Sequence, residues 1–192
     1  MSKLSVGVTE TAISLSWSSP FGRLWILADD NVHAVVWENH LAEDEKSFLQ
    51  ARQVDSAATP LIRQAETQLH EYFQGRRQNF ALPLCIQGTY FQKQAWKALQ
   101  FIPYGSTITY GEQARIVGHR RFARAVGQAN GRNRFCLVLP CHRVVPSNRS
   151  VGGYAGGSEV KAALIEFERR QKGLGVQSIS LNRQNATRPY IR

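Results

Sequence analysis

The most informative part of the sequence is Phe135-Cys136-Leu137-Val138-Leu139, followed directly by Pro140-Cys141-His142-Arg143. A short apolar run of this kind predicts a buried strand. A thiol, an imidazole and a guanidinium then stand together where that strand would end. Because a strand end holds a side chain rigidly while opening it to a ligand, Cys141 is a candidate nucleophile.

A nucleophilic cysteine needs a base nearby. A free thiol has a pKa near 8.5, so roughly 3% is thiolate at pH 7. His142 is adjacent, but neighbouring side chains on a strand point to opposite faces. The two groups can therefore meet only where the chain turns, or through a bridging water, and Pro140 disfavours a regular strand here. Glu166 and Glu168 are candidates for orienting the imidazole.

The three cysteines are Cys85, Cys136 and Cys141. Their small odd number argues against a disulfide framework, and without a C-x-x-C pair a cysteine-rich zinc site is not expected. Free thiols in a reducing compartment fit best. A lone cysteine is commonly a small buried hydrophobic residue. We interpret Cys85 and Cys136 in that way, and this alternative stays open for Cys141.

The composition of the 192-residue chain, 43% hydrophobic and 20% charged, is typical of a soluble globular protein with one or two domains. No apolar run approaches the roughly 20 residues that span a membrane. The segment Met1–Ser5 lacks the apolar region of a secretory signal. We therefore expect a cytoplasmic protein.

The charge is divided unevenly along the chain. Residues 1–88 carry 7 Lys/Arg and 10 Asp/Glu, whereas residues 89–192 carry 17 Lys/Arg and 4 Asp/Glu, so a net −3 half precedes a net +13 half. This asymmetry favours a polyanionic partner for the second half. The alternative is a solvated surface that happens to be basic.

The first half predicts an antiparallel meander followed by helices. Strands are expected at residues 12–17, 24–28 and 32–37. A short helix is expected at 42–53 and a longer one from Pro60 to about Phe73, with Thr59 as its N-cap. Residues 79–88 read as a linker or an edge strand.

The second half predicts four helices. The first, at 90–101, is capped by Thr89 and has an apolar face that includes Phe101. The pair at 109–117 and 122–130, linked by Gly118-His119-Arg120, predicts a helix-turn-helix. Small residues between arginines on its second helix suit DNA contact, and ordinary helix packing is the alternative. A glycine-rich loop at 146–157 precedes the last helix, 158–172.

These motifs resemble those of the methylated-DNA–protein-cysteine methyltransferases, the O6-alkylguanine-DNA alkyltransferases. The resemblance is dense over about residues 89–172 and reaches loosely back to Pro20-Phe21-Gly22. The matching motifs are Phe91-Gln92-x-x-x-Trp96, Ile102-Pro103-x-Gly105, Thr109-Tyr110-Gly111, Ala123-Arg124-Ala125-Val126-Gly127, Pro140-Cys141-His142-Arg143-Val144 and Gly153-Tyr154-x-Gly156-Gly157.

The resemblance implies an α/β (α+β) fold. A ribonuclease-H-like antiparallel sheet with helices would occupy residues 1–80, and residues 81–88 would be a linker. Residues 89–175 would form a helical DNA-binding and alkyl-acceptor domain with a winged-helix-like helix-turn-helix. The basic tail, 176–192, is expected to be mobile.

The implied function is DNA repair by direct, single-turnover transfer of an alkyl group to Cys141. The substrate would be O6-alkylguanine in double-stranded DNA, with O4-alkylthymine as a second lesion, reached by minor-groove binding and base flipping. The resemblance implies no cofactor, no metal and no membrane. It implies a monomer, with cooperative assembly on DNA left open.

The family's roles carry over by position. Cys141 would accept the alkyl group, His142 would be its base through a water, and Glu168 would orient His142. Asn133 would hold the active-site turn, and Tyr110 would serve the guanine and the target phosphodiester.

Further positions would contact DNA or the flipped base. Arg124 would enter the duplex and fill the space of the flipped nucleotide, while Ala123 and Gly127 allow close approach. The pocket for base and alkyl group would be formed by Val144, Tyr154, Ala155, Gly156 and Gly157.

Two positions depart from the family's pattern. Ala155 stands where some members have Ser or Asn, which suggests a more open pocket that accepts groups larger than methyl. Ethyl repair no faster than in relatives with a polar residue there would contradict this hypothesis. Arg169 stands where many members have Gly, so the end of the last helix is expected to differ.

Two other functions remain open from the residues. A DNA-binding regulator would use the basic helices and bury Cys141 in its core. A cysteine hydrolase would use Cys141 and His142 without DNA. Loss of one thiol on exposure to O6-methylguanine DNA separates the repair function from the first, and turnover of an acyl substrate would support the second.

Overall fold

An antiparallel three-stranded sheet forms the first part of the fold. The computed structural model describes residue 4 and residues 7–54, 59–118 and 121–179, with side chains up to residue 173. The strands are β1 (Ile13–Ser19), β2 (Gly22–Ala28) and β3 (Val32–Trp37), in the order β1-β2-β3. The predicted meander is thus confirmed.

Six α-helices follow the sheet in the part of the chain that the structure describes. Thr59 and Thr89 each accept a hydrogen bond from the backbone N–H three residues later, so both predicted N-caps are confirmed. The helices are α1 (Glu43–Gln50), α2 (Pro60–Phe73), α3 (Tyr90–Leu99), α4 (Tyr110–Ile116), α5 (Ala123–Asn130) and α6 (Ser158–Ile179). None of these helices is long and apolar enough to cross a membrane, as far as the described residues go.

β2 is buried on both faces because its alternating side chains enter two apolar clusters. Leu24 and Ile26 belong to the main core, whereas Trp25 and Leu27 pack in a smaller cluster with Leu49 of α1. The main core also contains residues of α2, α3 and α6, including Tyr72, Leu99 and Leu164. One core is therefore shared by the acidic and the basic half.

The free edge of β3 is covered by two segments of the chain. Val32 donates to the carbonyl of Pro83 (2.7 Å), and the amide of Cys85 donates back to Val32 (2.9 Å). Further along, Val35 pairs in the same way with Phe135. The predicted linker thus runs beside β3 with a single bridge at Leu84, and the segment before Cys141 is attached to the same strand.

The predicted strand at Phe135–Leu139 is wrong. Only Phe135 makes a bridge, and the amide of Leu139 donates to the carbonyl of Phe135 (2.8 Å), which closes a turn. Leu137 has a left-handed backbone with φ 71°. The run is apolar because this turn is buried in the core, and periodicity alone cannot separate that from a buried strand.

Two helix ends also differ from the prediction. Phe101 lies beyond the end of α3 and is 67% exposed, so it does not belong to the buried face of that helix. α6 continues to Ile179, past the predicted end at 172 and into the expected tail. The rest of that tail, 180–192, and the linker residues His119 and Arg120 lie outside the described residues.

The shared core makes a prediction for α3. Leu99→Ala removes a fully buried side chain and should lower the free energy of unfolding by about 2–5 kcal/mol. Tyr90→Ala, at an 81% exposed position of the same helix, should change it by less than about 0.5 kcal/mol. Urea unfolding followed by tryptophan fluorescence measures both. Equal effects would contradict the placement of α3 in the shared core.

Candidate active site

The chain turns at Cys141 instead of ending a strand there. Residues Cys141–Arg143 form one turn of 3₁₀ helix. The amide of Cys141 donates to the carbonyl of Leu139 (2.8 Å), and that of Arg143 donates to Pro140 (3.0 Å). This turn is the condition under which an adjacent thiol and imidazole can serve one site.

The buried side chain of Asn133 holds this turn. Its Nδ2 donates to the carbonyl of Leu139 (2.8 Å) and to Sγ of Cys141 (3.2 Å), while its Oδ1 accepts from the amide of Phe135 (2.9 Å). A single amide therefore connects the start of the turn, its end and the thiol.

Glu168 of α6 is hydrogen-bonded to four residues that lie in three parts of the chain. It is buried, and its carboxylate is the only partner found for His142 Nε2 in the part of the chain that the structure describes (3.0 Å). Its further donors are Tyr72 Oη (2.8 Å), the amide of Gly105 (2.9 Å), Arg143 Nε (2.9 Å) and Arg143 Nη2 (2.8 Å). Glu166, the other candidate, is exposed and pairs with Arg170, so geometry favours Glu168 as the partner of His142.

A cavity of about 410 Å³ opens beside Cys141. Of the sequence-predicted site residues, those that line it are Tyr110, Gly127, Cys141, Tyr154 and Ala155. Val144 is fully buried instead, because it pairs with Ile108 in a two-stranded parallel sheet, β4 (Ile108–Thr109) with β5 (Val144–Val145). Gly156 and Gly157 continue the loop beyond the lining residues.

α5 borders the cavity with its small residues. A Cβ on Gly127 would lie 3.7 Å from the ring of Tyr110, so glycine lets the helix approach this ring closely. Arg124 is exposed on α5 and makes no ion pair with any residue that the structure describes. Ala123 begins the helix and is partly exposed.

α4 and α5 are joined by a buried pair of amides. Gln113 Nε2 donates to Asn130 Oδ1 (3.2 Å), and Asn130 Nδ2 donates back to Gln113 Oε1 (2.7 Å). Sequence reasoning missed this pair. It fixes the angle between the two helices and hence the position of Tyr110 against Gly127.

Comparison with known proteins gives the family. The family model for the 6-O-methylguanine DNA methyltransferase DNA-binding domain matches residues 90–170, and the one for its ribonuclease-like domain matches residues 15–86. A methylated-DNA–protein-cysteine methyltransferase of Methanosarcina acetivorans is 37% identical over 79% of this chain and 95% of its own length. The chain belongs to this methyltransferase family.

Other relatives agree with this assignment. The constitutive methylated-DNA–protein-cysteine methyltransferase of Bacillus subtilis is 48% identical over 58% of this chain and 68% of its own length. The crystal structure of Mycobacterium tuberculosis O6-methylguanine methyltransferase superposes with a TM-score of 0.75, at 34% identity over 83% of this chain and 94% of that one. A structure of the M. tuberculosis protein with DNA gives 0.72, at 34% identity over 82% and 93%. The α/β fold with an N-terminal antiparallel sheet and a C-terminal helical part is thereby confirmed.

The electrostatics of the methyltransferase site assign the proton on His142. Burial raises the pKa of the Glu168 carboxyl, but His142 and the Arg143 guanidinium outweigh it and hold that pKa well below its usual range. Because an ionised carboxylate only accepts, the ring hydrogen lies on Nε2 of His142. Burial also lowers the pKa of His142, so the ring is neutral at pH 7. Its Nδ1 is buried without a hydrogen-bond partner in the described ranges, and its lone pair can take a proton.

Cys141 is not ionised by its surroundings alone. Burial raises the pKa of its thiol, and the hydrogen bond from Asn133 and the charge of Lys161 only partly oppose this. The thiol therefore needs a base, and the next residue, His142, carries its ring in the neutral form that can act as one.

Lys161 is a site residue that sequence reasoning missed. It is fully buried on α6, donates to the carbonyl of Gly153 (3.1 Å), and its Nζ lies 5.8 Å from the ring centroid of Tyr110. Burial lowers its pKa to about 8. The sequence does contain a pattern that could have identified Lys161. With Glu168 it shares the i, i+3, i+4, i+7 face of α6 on which Leu164 and Ile165 are buried. Two charged residues on such a face indicate a buried polar site.

No group of three or more His, Cys, Asp or Glu side chains that could hold a metal ion occurs in the described part of the methyltransferase. The three cysteines are free thiols.

The buried carboxylate makes a prediction for stability. Glu168→Gln leaves the Arg143 charge buried without its counter-ion and should lower the free energy of unfolding at pH 7 by about 3–5 kcal/mol. The contribution of the wild-type carboxylate is full above its unfolded pKa of 4.5 and is lost as the pH falls through its depressed folded pKa. The difference between wild type and variant should therefore shrink below pH 4.5, as measured by urea unfolding from pH 7 to 3.

Glu166→Gln is the matched control. It makes the same chemical change two residues before Glu168, on the exposed side of α6 and in an exposed ion pair, and should cost less than about 1 kcal/mol. A similar cost for both variants, or a Glu168→Gln difference that does not depend on pH, would contradict the assigned charge state.

Proposed function

We propose that this protein repairs DNA by direct, single-turnover transfer of the alkyl group of O6-alkylguanine to Cys141. The observation that carries the proposal is a buried thiol at a cavity of about 410 Å³, next to a neutral imidazole held by Glu168. Membership of the methyltransferase family supports the same reaction. A regulator would have no use for a buried thiol that opens to a cavity and is followed by a base.

The chemistry begins with the thiol proton. His142 Nδ1 takes this proton from Cys141 through a water, and Glu168 stabilises the imidazolium that forms. The thiolate attacks the alkyl carbon of the lesion, so a C–S bond forms and the C–O6 bond breaks. The electron pair of the broken bond stays on the guanine, which takes up a proton. Because the thioether product has no easy leaving group, each molecule acts once.

Tyr110 is the proposed proton donor to the departing guanine. Burial raises the pKa of its hydroxyl, with a further contribution from nearby Cys141, so it is protonated at pH 7 and able to donate. Its hydroxyl is regenerated from solvent. The same side chain would also contact the target phosphodiester, since it lines the cavity at the start of α4.

The target base has to leave the duplex to reach Cys141, which is only 6% exposed. Extrusion costs a few kcal/mol and least for a weakly paired damaged base. We propose that Arg124 enters the stack from α5 and fills the space of the flipped nucleotide, with Ala123 and Gly127 allowing close approach. A cavity of about 410 Å³ lies within the usual range for ligand pockets.

The pocket residues have separate proposed parts. Tyr154 and Ala155 would contact the base and alkyl group directly, as they line the cavity. Gly156 and Gly157 would give the loop its path, and Gly157 has φ 94°, which disfavours other residues. The turn Cys141–Arg143, here called the acceptor turn, would be supported by Val144, which follows it in β5, and would be held by Asn133.

DNA is the proposed partner of the basic half. The net charge of +13 over residues 89–192 would neutralise phosphates on both sides of the lesion, with α4 and α5 in the minor groove. A DNA substrate and a thiol that must stay reduced favour the cytoplasm. O4-alkylthymine as a second lesion and a monomeric state belong to the same proposal.

The first test is the mass of the Cys141 peptide after incubation with an O6-methylguanine duplex. One methylene should be added, because a methyl group replaces the thiol hydrogen. Cys141→Ser should still bind the duplex and gain no mass, since an alcohol is a far weaker nucleophile at this pH. An intact lesion with unmodified Cys141 would contradict the repair function and favour a DNA-binding regulator. Turnover of acyl substrates would favour a cysteine hydrolase.

The second test addresses base extrusion. Arg124→Ala should slow repair of the duplex by about tenfold or more. Extrusion of the base costs a few kcal/mol, and the variant loses the side chain that would offset part of this cost. Its reaction with free O6-benzylguanine, which needs no extrusion, should stay unchanged. Arg132→Ala removes the same charge from an exposed position just after α5 and serves as the control. Equal slowing by both variants would reduce Arg124 to a phosphate contact.

A further inference from the structure

The loop that forms one wall of the cavity is attached to the N-terminal sheet. Tyr154 and Ala155 line the cavity. Trp37, the last residue of β3, donates from Nε1 to the hydroxyl of Tyr154 (2.9 Å), and Asn39 donates from Nδ2 to the carbonyl of Gly156 (2.8 Å). The two residues on either side of Ala155 are thus both held from the other half of the chain.

The contact between Trp37 and the loop is close as well as polar. A Cβ on Gly156 would lie 2.9 Å from Cδ1 and 3.0 Å from Nε1 of Trp37, so the indole occupies the space of a side chain there. The indole is 1% exposed. The Tyr154 ring is therefore held at its hydroxyl end by the indole of Trp37, which lies outside its own loop.

β3 is a rigid base for these contacts. It pairs with β2 along its length, and Val35, two residues before Trp37, bridges to Phe135 in the segment that leads to Cys141. The acceptor turn and the opposite wall of the cavity are thus attached to the same strand within three residues. The segment before the thiol and the opposite wall therefore share one strand as their attachment.

We propose that Trp37 and Asn39 are positioning residues that set the width of the alkyl pocket by holding Tyr154 and Gly156 on the N-terminal sheet. This inference rests on the proposed function, because it concerns which alkyl groups the Cys141 thiol accepts. Neither residue touches the reacting atoms. Both act through the loop on the space available between Ala155 and Cys141.

The consequence is a size preference controlled from the N-terminal sheet. With either contact removed, the loop can move outwards, which admits larger alkyl groups. The same movement loosens the position of a methyl group in front of the thiolate, and positioning of the reacting atoms is a large part of the rate. The ratio of benzyl to methyl transfer should therefore rise.

The test measures single-turnover rate constants for O6-methylguanine and O6-benzylguanine placed in the same duplex. Trp37→Phe keeps an aromatic ring but removes the donor, and Asn39→Ala truncates an exposed side chain. Each should raise the benzyl-to-methyl ratio by about twofold to tenfold, the factor corresponding to one ordinary hydrogen bond. Because Asn39 is exposed, its variant tests the inference even if Trp37→Phe fails to fold.

Trp25→Phe is the matched control. It makes the same chemical change in the neighbouring strand, where Trp25 is 2% exposed and donates to Glu38 (3.1 Å) in the smaller cluster. Its benzyl-to-methyl ratio should equal that of wild type.

A double variant tests the hydrogen bond itself. In a Tyr154→Phe background, which lacks the hydroxyl acceptor, Trp37→Phe should change the ratio much less than in wild type.

The outcomes separate this inference from the proposed function. A wild-type protein that takes no alkyl group on Cys141 contradicts the proposed function itself. Wild-type alkylation with ratios unchanged in Trp37→Phe and Asn39→Ala overturns only the positioning role. Equal slowing of both substrates by Trp37→Phe and Trp25→Phe would likewise reduce the contact to general stability and overturn the inference.

Discussion

The rest of the structure depends on the buried carboxylate of Glu168. A charge of this kind is costly to bury unless it is paired and fully hydrogen-bonded. Its donors come from α2, from the turn before β4 and from the acceptor turn, as Tyr72, Gly105, His142 and Arg143. The requirement to satisfy one carboxylate therefore fixes how α6 lies against both halves of the chain, and it brings the acceptor turn to a single position.

The same carboxylate decides the chemistry. Since Arg143 and the other donors keep Glu168 ionised, His142 must present its hydrogen to it, and the opposite nitrogen remains available for a proton. Burial keeps that ring neutral and the Cys141 thiol protonated. The resting site thus holds an unreactive thiol beside a ready base. Such a pair suits a nucleophile that is used once, because it limits side reactions before the substrate arrives.

Local signals account for what the sequence predicted correctly. Alternation and turn residues predicted the meander, and threonine N-caps predicted the starts of α2 and α3. The acceptor site around Cys141 stays a prediction, made from the motif at that residue. The strand at 135–139 failed because burial on all sides gives a turn and a strand the same apolar pattern. The contacts of Trp37 and Asn39 could not be predicted from the sequence for a different reason. Each residue lies 117 positions from its partner in the loop, and no local pattern encodes such a contact.

Under the proposed positioning role, the long-range contacts of Trp37 and Asn39 give the N-terminal sheet an influence on the reaction although it touches no reacting atom. The acceptor turn is held by Asn133 and Glu168 without help from the N-terminal sheet. The loop on the other side of the cavity, residues 152–157, is rich in glycine and has φ values of 68° at Gly152 and 94° at Gly157. Glycine gives the loop its path and also makes it easy to deform. Lys161 holds one end at Gly153, and Trp37 and Asn39 hold the other. Because this loop deforms easily, the proposed pocket keeps a defined width through hydrogen bonds from two rigid elements, α6 on one side of the loop and the end of β3 on the other.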